Sequence, residues 1–317
     1  MGGATSYPGG FPNGVEINGV SILQAYTGKV FYVDSNTGSD NSNGRTWKKP
    51  VATLNKAMDL VTASKGDIVL VMPGHVENLG DTSTTGAIDL DVAGVNILGI
   101  GRGTLQPRID FDHADSDFII GANNISIENI NFHADAPDVA LGVAIEAGVT
   151  NTLIKNCKFD VETAGTDEFT VAVNLLAGCD YTVVEGCTID ADLGAATDGV
   201  KLTGASYGVA VKGNTIKGDF STACITSDTT LSEDIMIEGN MLIQGQTDAL
   251  NAVMVIEMLT GTTGIIRDNY IVCDVATHVL MVQTDGCSCF NNLSIDGVGR
   301  ALTAEYFSAT VVADADG

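Results

Sequence analysis

The chain is poor in tryptophan, proline, aromatic side chains and basic residues. It has one Trp and six Pro among 317 residues, and aromatic residues make up 6% of it. There are 15 Lys and Arg against 40 Asp and Glu, so the net charge is −25. A surface this acidic repels nucleic acid and anionic membranes, and we expect neither as a direct partner. No apolar run approaches the length of a membrane span.

Cysteine is present but shows no zinc-binding spacing. The seven residues are Cys157, Cys179, Cys187, Cys224, Cys273, Cys287 and Cys289. Several fall at positions expected to point inward, where a thiol behaves as a small apolar group. Their odd number, together with the lack of a recognisable secretion signal, favours assembly in a reducing cytoplasm.

What the sequence does contain is an eight-residue phrase that recurs about every 23–30 residues, a spacing typical of repeat architectures. Its positions 1, 3 and 8 are apolar, and position 4 is charged. Position 5 holds a residue that favours a bend, position 6 a residue that can stack on its equivalents in other copies, and positions 2 and 7 vary. Its copies begin at Ile125, Thr152, Thr182, Val209, Ile235, Gly264 and Cys287.

Three columns of the phrase predict two short strands joined by a bend. The third column is apolar and mostly β-branched, which suits a buried strand: Ile127, Ile154, Val184, Val211, Ile237, Ile266 and Cys289. The fifth holds residues that enter the left-handed region at least cost: Asn129, Asn156, Gly186, Gly213, Gly239, Asp268 and Asn291. The eighth column predicts a second inward-pointing strand: Phe132, Phe159, Ile189, Ile216, Leu242 and Ile271, failing at Ser294.

The fourth and sixth columns predict that successive copies stack directly on each other. The fourth alternates in charge: Glu128, Lys155, Glu185, Lys212, Glu238 and Arg267, ending at Phe290. Stacked about 4.8 Å apart, unlike charges would favour this register, although chance alternation on a solvated face is the simpler alternative. The sixth runs Ile130, Cys157, Cys187, Asn214, Asn240, Asn269 and Asn292, and its four Asn predict a stacked amide ladder.

These patterns predict an all-β fold, a right-handed parallel β-helix with an N-terminal capping helix and an extended N-terminal arm. Residues 1–30 would form the arm, 31–66 a cap, 67–298 the β-helix and 299–317 a closing segment. The cap has a strand at Val30–Val33 and a predicted amphipathic helix over Pro50–Lys65, while Asp67–Met72 begins the coils and Gly99 marks an early bend. The arm is either a disordered terminus or a tether that orders on a partner.

Candidate catalytic groups are scattered rather than arranged in a motif. Loop carboxylates that a glycosidase would need in pairs are Asp190, Asp192, Asp219, Asp248, Asp274 and Asp285. Cationic loop candidates are Lys201, Lys217 and Arg300, and the aromatic residues Trp47, Tyr181, Tyr207 and Tyr270 stand singly. We expect His75, His113, His133 and His278 to be turn or surface groups. We therefore assign no catalytic, cofactor-binding or metal-binding residue.

One loop has a faint likeness to a calcium site. Asp34, Asn36 and Asp40 supply oxygen atoms at near-alternate positions, but no Glu closes the pattern. A plain turn-rich loop is the favoured interpretation.

Four stretches carry a resemblance to a known family: SYPGGFPNGVEINGVSIL, VFYVDSNTGSDNSNGRTWKKPVATLNKAMDLV, GDIVLVMPGHVENL and LDVAGVNILGIGRG. Together they resemble phage and prophage β-helix proteins, and the later stretches are shared with pectin-lyase-like β-helices. The resemblance implies a virion structural protein, a homotrimer that decorates or stabilises the capsid or forms a head spike. It brings no catalytic residue with it.

We therefore expect a non-enzymatic virion protein that is assembled in the host cytoplasm and binds the major capsid protein, or another virion protein, through residues 1–30. The alternative is a tailspike-like receptor-binding protein or a depolymerase that acts on a surface glycan as a lyase or glycoside hydrolase. A secreted pectin-lyase-like enzyme is a third, weaker alternative, because no secretion signal is recognisable.

Overall fold

The structure is a computed structural model that describes residues 28–80, 87–164, 166–191, 196–227, 230–245, 254–273, 282–283 and 286–296, and the strands Glu16–Ile17 and Val20–Ser21. Apart from these two strands, β1 and β2, which pair antiparallel within the arm, the named strands form three parallel sheets. From β4 to β27, each coil contributes one strand to each sheet in turn. The fold is the predicted all-β, right-handed parallel β-helix.

Sheet 1 contains the first half of every phrase. Its strands are β3 (Val30–Val33), β4 (Ile68–Val71), β7 (Asn96–Gly99), β10 (Ser126–Glu128), β13 (Leu153–Lys155), β16 (Val183–Glu185), β19 (Ala210–Lys212), β22 (Ile235–Glu238), β25 (Gly264–Arg267) and β28 (Cys287–Phe290). Strand β3, which the sequence analysis places in the cap, is thus the first strand of the solenoid.

Sheets 2 and 3 complete each coil. Sheet 2 contains β5 (Val76–Leu79), β8 (Arg108–Phe111), β11 (Asn131–Ala134), β14 (Lys158–Val161), β17 (Thr188–Asp190), β20 (Thr215–Gly218), β23 (Met241–Gln244), β26 (Tyr270–Cys273) and β29 (Leu293–Asp296). Sheet 3 contains β6 (Ala87–Leu90), β9 (Asp117–Ile120), β12 (Val139–Ile145), β15 (Phe169–Leu175), β18 (Asp198–Leu202), β21 (Ala223–Ser227), β24 (Ile256–Met258) and β27 (Val282–Gln283).

The observed register confirms the columns of the phrase. Ile127 pairs with Ile154, and every later member of the third column pairs with its neighbour down to Cys289. The eighth column is likewise continuous from Phe132 to Ser294. The inward side chains of these columns are buried from Ile127 to Ile266 and from Phe132 to Ile271. They belong to one continuous core, in which the rings of Phe132 and Phe159 stack 4.9 Å apart.

All seven predicted bends have a positive φ, between 52° at Asn156 and 64° at the glycines. A second column of bends, which the sequence analysis missed, lies one residue before the phrase: Gly94, Asn124, Asn151, Tyr181, Gly208 and Asp234. Gly99 is not a bend, since it ends β7 and the chain turns at Gly101 and Gly103 instead.

The predicted Asn ladder is present inside the bend between sheets 1 and 2. The Asn240 amide nitrogen donates to the carbonyl of Val211 at 2.9 Å and to Oδ1 of Asn269 at 2.9 Å. Its own Oδ1 accepts from the backbone and side-chain nitrogens of Asn214 at 2.9 and 3.1 Å. Each buried amide is therefore satisfied by the coils above and below it.

The charge ladder has the predicted main-chain register but only part of the predicted pairing. Lys155 pairs with Glu128 on one side and Glu185 on the other in the strand ladder. Its ammonium lies 3.2 Å from Glu185, which also binds Lys212 at 3.1 Å, and Arg267 lies 2.8 Å from Glu238. Glu128 instead accepts from the side chain of Asn156 at 3.1 Å.

The capping helix is much shorter than predicted. It spans Leu54–Met58 rather than Pro50–Lys65, with Thr53 as its N-cap. It ends early because the backbone N–H of Thr62 donates to Asp67 at 2.7 Å, and Ser64 and Gly66 adopt positive φ. Its Leu54, Ala57 and Met58 are buried at the end of the core, so it still closes the first coil.

Cys157 and Cys187, which lie in the repeated phrase, are buried as predicted, whereas Cys289, on the inward third column, is half-buried. Cys179, Cys224 and Cys287 are buried as well. Burial raises the pKa of the Cys179 thiol to about 12, which keeps it protonated. Within the described ranges, no helix is long and apolar enough to cross a membrane.

We predict that Asn240→Ala destabilises the protein by about 2–4 kcal/mol, because the buried backbone N–H of Asn214 loses its acceptor and the side-chain hydrogen bonds to Val211, Asn214 and Asn269 are removed. Denaturant unfolding measures the change. Asn41→Ala, at an exposed loop position, is the matched control and should have little effect. Equal stability of the two variants would show that the ladder does not hold the coils together.

Candidate functional site

Of the loop carboxylates and cations predicted from the sequence, the structure describes four, and three of these are strand residues. Asp190 ends β17 and lies 3.6 Å from Lys217 of the next coil, so each neutralises the other. Lys201 and Lys217, expected on loops, belong to β18 and β20, and Asp219 directly follows β20. Asp192, Asp248, Asp274, Asp285, Arg300 and His278 lie outside the described residues.

One described histidine, His133, contradicts the prediction of a turn or surface position, because it is 5% exposed in the middle of β11. His75 closes the turn that begins at Met72, as predicted, but it is fully buried. Its Nδ1 accepts from the backbone N–H of Ser35 at 3.0 Å, and its Nε2 lies 3.3 Å from Glu77. Of the described histidines, His113 has the expected surface position, in the turn after β8. His133 directly follows the eighth and last position of the phrase that begins at Ile125, so the repeat made no prediction for its burial.

His133 is the centre of the densest charged cluster in the described structure. Its Nδ1 lies 2.7 Å from Asp160 in the next coil, and its Nε2 lies 3.0 Å from Glu162. Asp110, its neighbour in the previous coil, accepts a hydrogen bond from Arg108 at 2.8 Å, and the Nε of Arg108 lies 2.6 Å from its other oxygen as an ion pair. Lys158 also donates to Asp160. The stacking of β8, β11 and β14 brings these residues together.

The environment of this cluster separates the pKa values of its members. The hydrogen bond to Asp160 raises the pKa of His133, so the imidazolium form is favoured. Burial would raise the pKa of Asp160, but hydrogen bonds from His133 and Lys158 hold it below its usual value. Burial raises the pKa of Asp110, against the opposing charge of Arg108.

Two carboxyls with separated pKa values are a pattern found in glycosidase active sites. Asp110 and Asp160 are two strands apart, which is about 9.6 Å between their main chains. However, His133 lies between them, Asp110 is 4% exposed, and both carboxylates are bound by cations of the same chain. The cluster therefore resembles a closed ion-pair network more than a site open to substrate.

A second buried polar cluster lies on sheet 3. Asp198 is fully buried and accepts from the hydroxyls of Thr226 at 2.8 Å and Thr197 at 2.9 Å, and its other partner is Lys201 at 3.3 Å. Asn174, next to Lys201 in the ladder, accepts from Thr203 at 2.5 Å. This cluster is also satisfied by its own neighbours.

A polar cleft of about 360 Å³ opens at the bend between sheets 1 and 2. Its lining includes Arg102, Gln106, Asn129, Asn156 and Lys158. The two amides are engaged, since Asn129 donates to the carbonyls of Gly99 and Gly101 and Asn156 donates to Glu128.

The tyrosines thought to be single are in part paired. Tyr181 and Tyr207 come from successive coils, and their ring centroids are 5.5 Å apart. Trp47 is isolated from them on the cap, where Lys48 lies over its ring. Tyr181 lies one residue before the phrase that begins at Thr182, and Tyr207 lies two residues before the next one, at Val209. The repeat therefore places them in adjacent coils but not in one column, and the contact between their rings is seen only in the structure.

The loop with a faint likeness to a calcium site uses its oxygens internally. Asp34 accepts from the backbone of Asn36 and the hydroxyl of Thr37, and Asp40 accepts from the backbone of Ala52 and from Thr53. Both carboxylates are thus engaged in hydrogen bonds that hold the loop in shape. In the part of the chain that the structure describes, no group of three or more His, Cys, Asp or Glu could hold a metal ion.

Comparison with solved structures shows proteins that share the fold of this chain but have little sequence identity with it. The chain matches a lacto-N-biosidase from Eubacterium ramulus over 84% of its length and 56% of that protein, with 11% identity and a TM-score of 0.58. It matches the pectate lyase Pel9A over 84% of its length and 70% of that chain, with 14% identity and a TM-score of 0.54. The fold is that of the pectin-lyase-like β-helices.

The tailspike protein of E. coli bacteriophage HK620 also matches, over 85% of this chain and 50% of its own, with 12% identity. Its TM-score of 0.31 is too low to carry an argument. No protein-family model matches the sequence, and no curated protein matches it significantly. At these identities the activities of the solved proteins do not transfer to this one.

We predict that the contribution of His133 to stability depends on pH. Because folding raises its pKa, the stabilisation is fully present below the unfolded pKa of about 6.5 and is lost as pH rises through the higher folded-state pKa. His133→Gln should therefore cost roughly 1.5–3 kcal/mol near pH 6 and less near pH 9. Denaturant unfolding at both values measures the gap between the variant and the wild type.

The exposed His113→Gln variant controls for the general effect of pH on so acidic a chain. A gap for His133→Gln that stayed constant or widened between pH 6 and pH 9 would contradict the assignment of His133 as an imidazolium held by carboxylates.

Proposed function

We propose that the chain is a non-enzymatic structural protein of a bacteriophage particle, a homotrimer that decorates or stabilises the capsid through residues 1–30. One observation carries the proposal. The buried charged clusters around His133 and Asp198 are closed by partners from the same chain, which gives rigidity rather than an open reaction site. The resemblance of the opening stretches to phage β-helix proteins supports the same function.

The attachment of the arm fits an anchoring role. The chain enters the solenoid at β3, beside the end that the short helix closes. The backbone N–H of Lys29, just before β3, is tied to Asp67 at 2.5 Å. A partner bound to residues 1–28 would therefore be coupled to the capped end of a rigid rod.

The outward face of sheet 2 offers a place for copies to meet. Two columns of side chains in this sheet point outward. In the earlier coils these columns include charged residues: Arg108, Asp110, Lys158, Asp160 and Lys217. In its last three strands the same columns hold Met241, Ile243, Tyr270, Val272 and Leu293.

This uncharged face is unusual for the protein, because Met241 and Leu293 are 41% and 53% exposed. Two copies that each carry a charge of −25 repel one another, so contact is favoured where neither presents a charge. We assign this face to contact with a second copy. Phe290, which is 47% exposed and ends β28 of the neighbouring sheet, lies in the same coil as Leu293.

For the arm, deletion of residues 2–28 should leave a folded trimer that no longer binds capsids. Co-sedimentation with particles that lack the protein measures binding, and deletion of residues 313–317 is the control at the other end. Retained binding of the arm deletion would contradict the anchoring role.

The enzymatic alternative has its own readout. Release of new reducing or unsaturated ends when the purified protein is incubated with host capsule or lipopolysaccharide would replace the structural proposal with a depolymerase.

For the outward face, Leu293→Lys should shift the protein from trimer to monomer, because a buried charge at the contact would lack a partner. Size-exclusion chromatography with light scattering distinguishes about three times 32.8 kDa from one. Thr188→Lys, in the same outward column but among polar residues, is the matched control and should remain trimeric. A monomeric wild type, or a trimeric Leu293→Lys, would contradict the assignment.

A further inference from the structure

Two tyrosines stand side by side on the turn that leads from sheet 3 to sheet 1. Tyr181 is 53% exposed and Tyr207 is 40% exposed. Their planes meet at 78°, with centroids 5.5 Å apart, so they form an open corner of two aromatic rings. Exposed aromatic groups are scarce in a chain that is 6% aromatic, and this pair lies away from the uncharged face of sheet 2.

Tyr181 is held in a backbone conformation that disfavours it. Its φ is 56°, in the column where other coils place Asn124, Asn151, Gly208 and Asp234. Gly, Asn and Asp enter this region at least cost, whereas a bulky aromatic residue there is a true outlier. Strain of this kind concentrates at functional sites. Folding alone would be served better by Asn at this position.

The neighbouring coil is shaped to receive the Tyr181 ring. A Cβ atom at residue 208 would lie 3.0 and 3.1 Å from two of the ring's carbons, so glycine makes room for the ring to pass over the backbone. The ring is thus supported on one side by the main chain. More than half of the Tyr181 side chain still faces solvent.

Hydrogen-bonding groups surround the corner. Asp180 accepts from the backbone N–H of Tyr207 at 2.8 Å, which fixes the turn. The hydroxyl of Tyr207 is hydrogen-bonded to Asp234. The exposed side chains of Asn151 and Glu233 come from the adjoining coils. The site therefore combines an apolar ring surface with carboxylate and amide groups that bind hydroxyls.

We propose that Tyr181 and Tyr207 form a binding site for an uncharged sugar unit of a glycan. The C–H face of the sugar would pack on the exposed ring, and its hydroxyls would donate to Asp180, Glu233 and Asp234. The three carboxylates disfavour sugars that carry carboxylate or phosphate groups. The inference stands on this turn alone and does not depend on the proposed capsid role.

A basic protein segment is the competing ligand, since a cation can pack on a tyrosine ring. However, the acidic surface attracts cations over much of its extent, with or without aromatic groups. This turn differs from the rest of the surface because it exposes the apolar ring of Tyr181, whose backbone is held in a disfavoured conformation. That feature favours a ligand with an apolar face.

Saturation-transfer NMR on the full-length protein tests the proposal with methyl glycosides of glucose, galactose, mannose and N-acetylglucosamine, and with glucuronate as the charged probe. We expect saturation transfer to the ring protons of at least one neutral sugar. Binding should be at least tenfold weaker in Tyr181→Ala. It should be unchanged in the control variant Trp47→Ala, which removes an isolated exposed aromatic side chain. The signal should persist between 50 and 500 mM salt. No transfer from any neutral probe, or equal transfer in Tyr181→Ala, would overturn the proposal.

A second variant separates binding from folding. Tyr181→Asn relieves the strained backbone, so its thermal midpoint should equal or exceed that of the wild type while sugar binding is lost. A lower midpoint, or a change in oligomeric state, would mean that the tyrosine serves packing or assembly, which overturns the proposal. Salt-sensitive binding of hexalysine that requires Tyr181, with no sugar binding, would overturn it in favour of a basic partner.

Discussion

Each coil of the solenoid is held to the next by main-chain hydrogen bonds between parallel strands, and these require neighbouring coils to keep one register. A slip of a single residue would turn every inward side chain of that coil toward solvent. The bends at Asn129 and its equivalents return the chain to the same place in each coil, and the amide ladder from Asn214 to Asn292 links those bends along the rod. The other features of the molecule, including its charged clusters, follow from this stacking.

Stacking also explains how a chain with so few basic residues builds dense charge networks. Residues about 27–30 apart in sequence become neighbours about 4.8 Å apart in a sheet. His133 thus meets Asp160, and Lys155 meets Glu185. Because such groups bind each other, little of their chemistry is left for a substrate, which is the physical basis for proposing a structural role. The lyase and glycosidase with the same fold show that a β-helix can serve catalysis, but the fold does not require it.

The two open surfaces of the rod differ in kind. The uncharged face of sheet 2 around Met241 and Leu293 is broad, unstrained and part of regular strands, as expected for contact between like-charged copies. The Tyr181–Tyr207 corner is small, rimmed by carboxylates and built on a disfavoured backbone conformation. These properties suit a small polar ligand better than a protein interface. Both proposed surfaces, one for assembly and one for recognition, lie outside the core and leave it undisturbed.

The repeat by itself determined the parallel β-helix, the register of its coils, the left-handed bends and the Asn ladder, because each depends on side-chain type at a fixed interval along the chain. The bounds of the capping helix were decided by tertiary contacts, since Asp67 takes the N–H of Thr62 that a longer helix would need. The burial of His133 and the pairing of Tyr181 with Tyr207 also came only from the structure. Both lie just outside the repeated phrase, at positions whose residue type varies from coil to coil. Only the stacking of the coils in the tertiary structure decides which neighbours such residues contact.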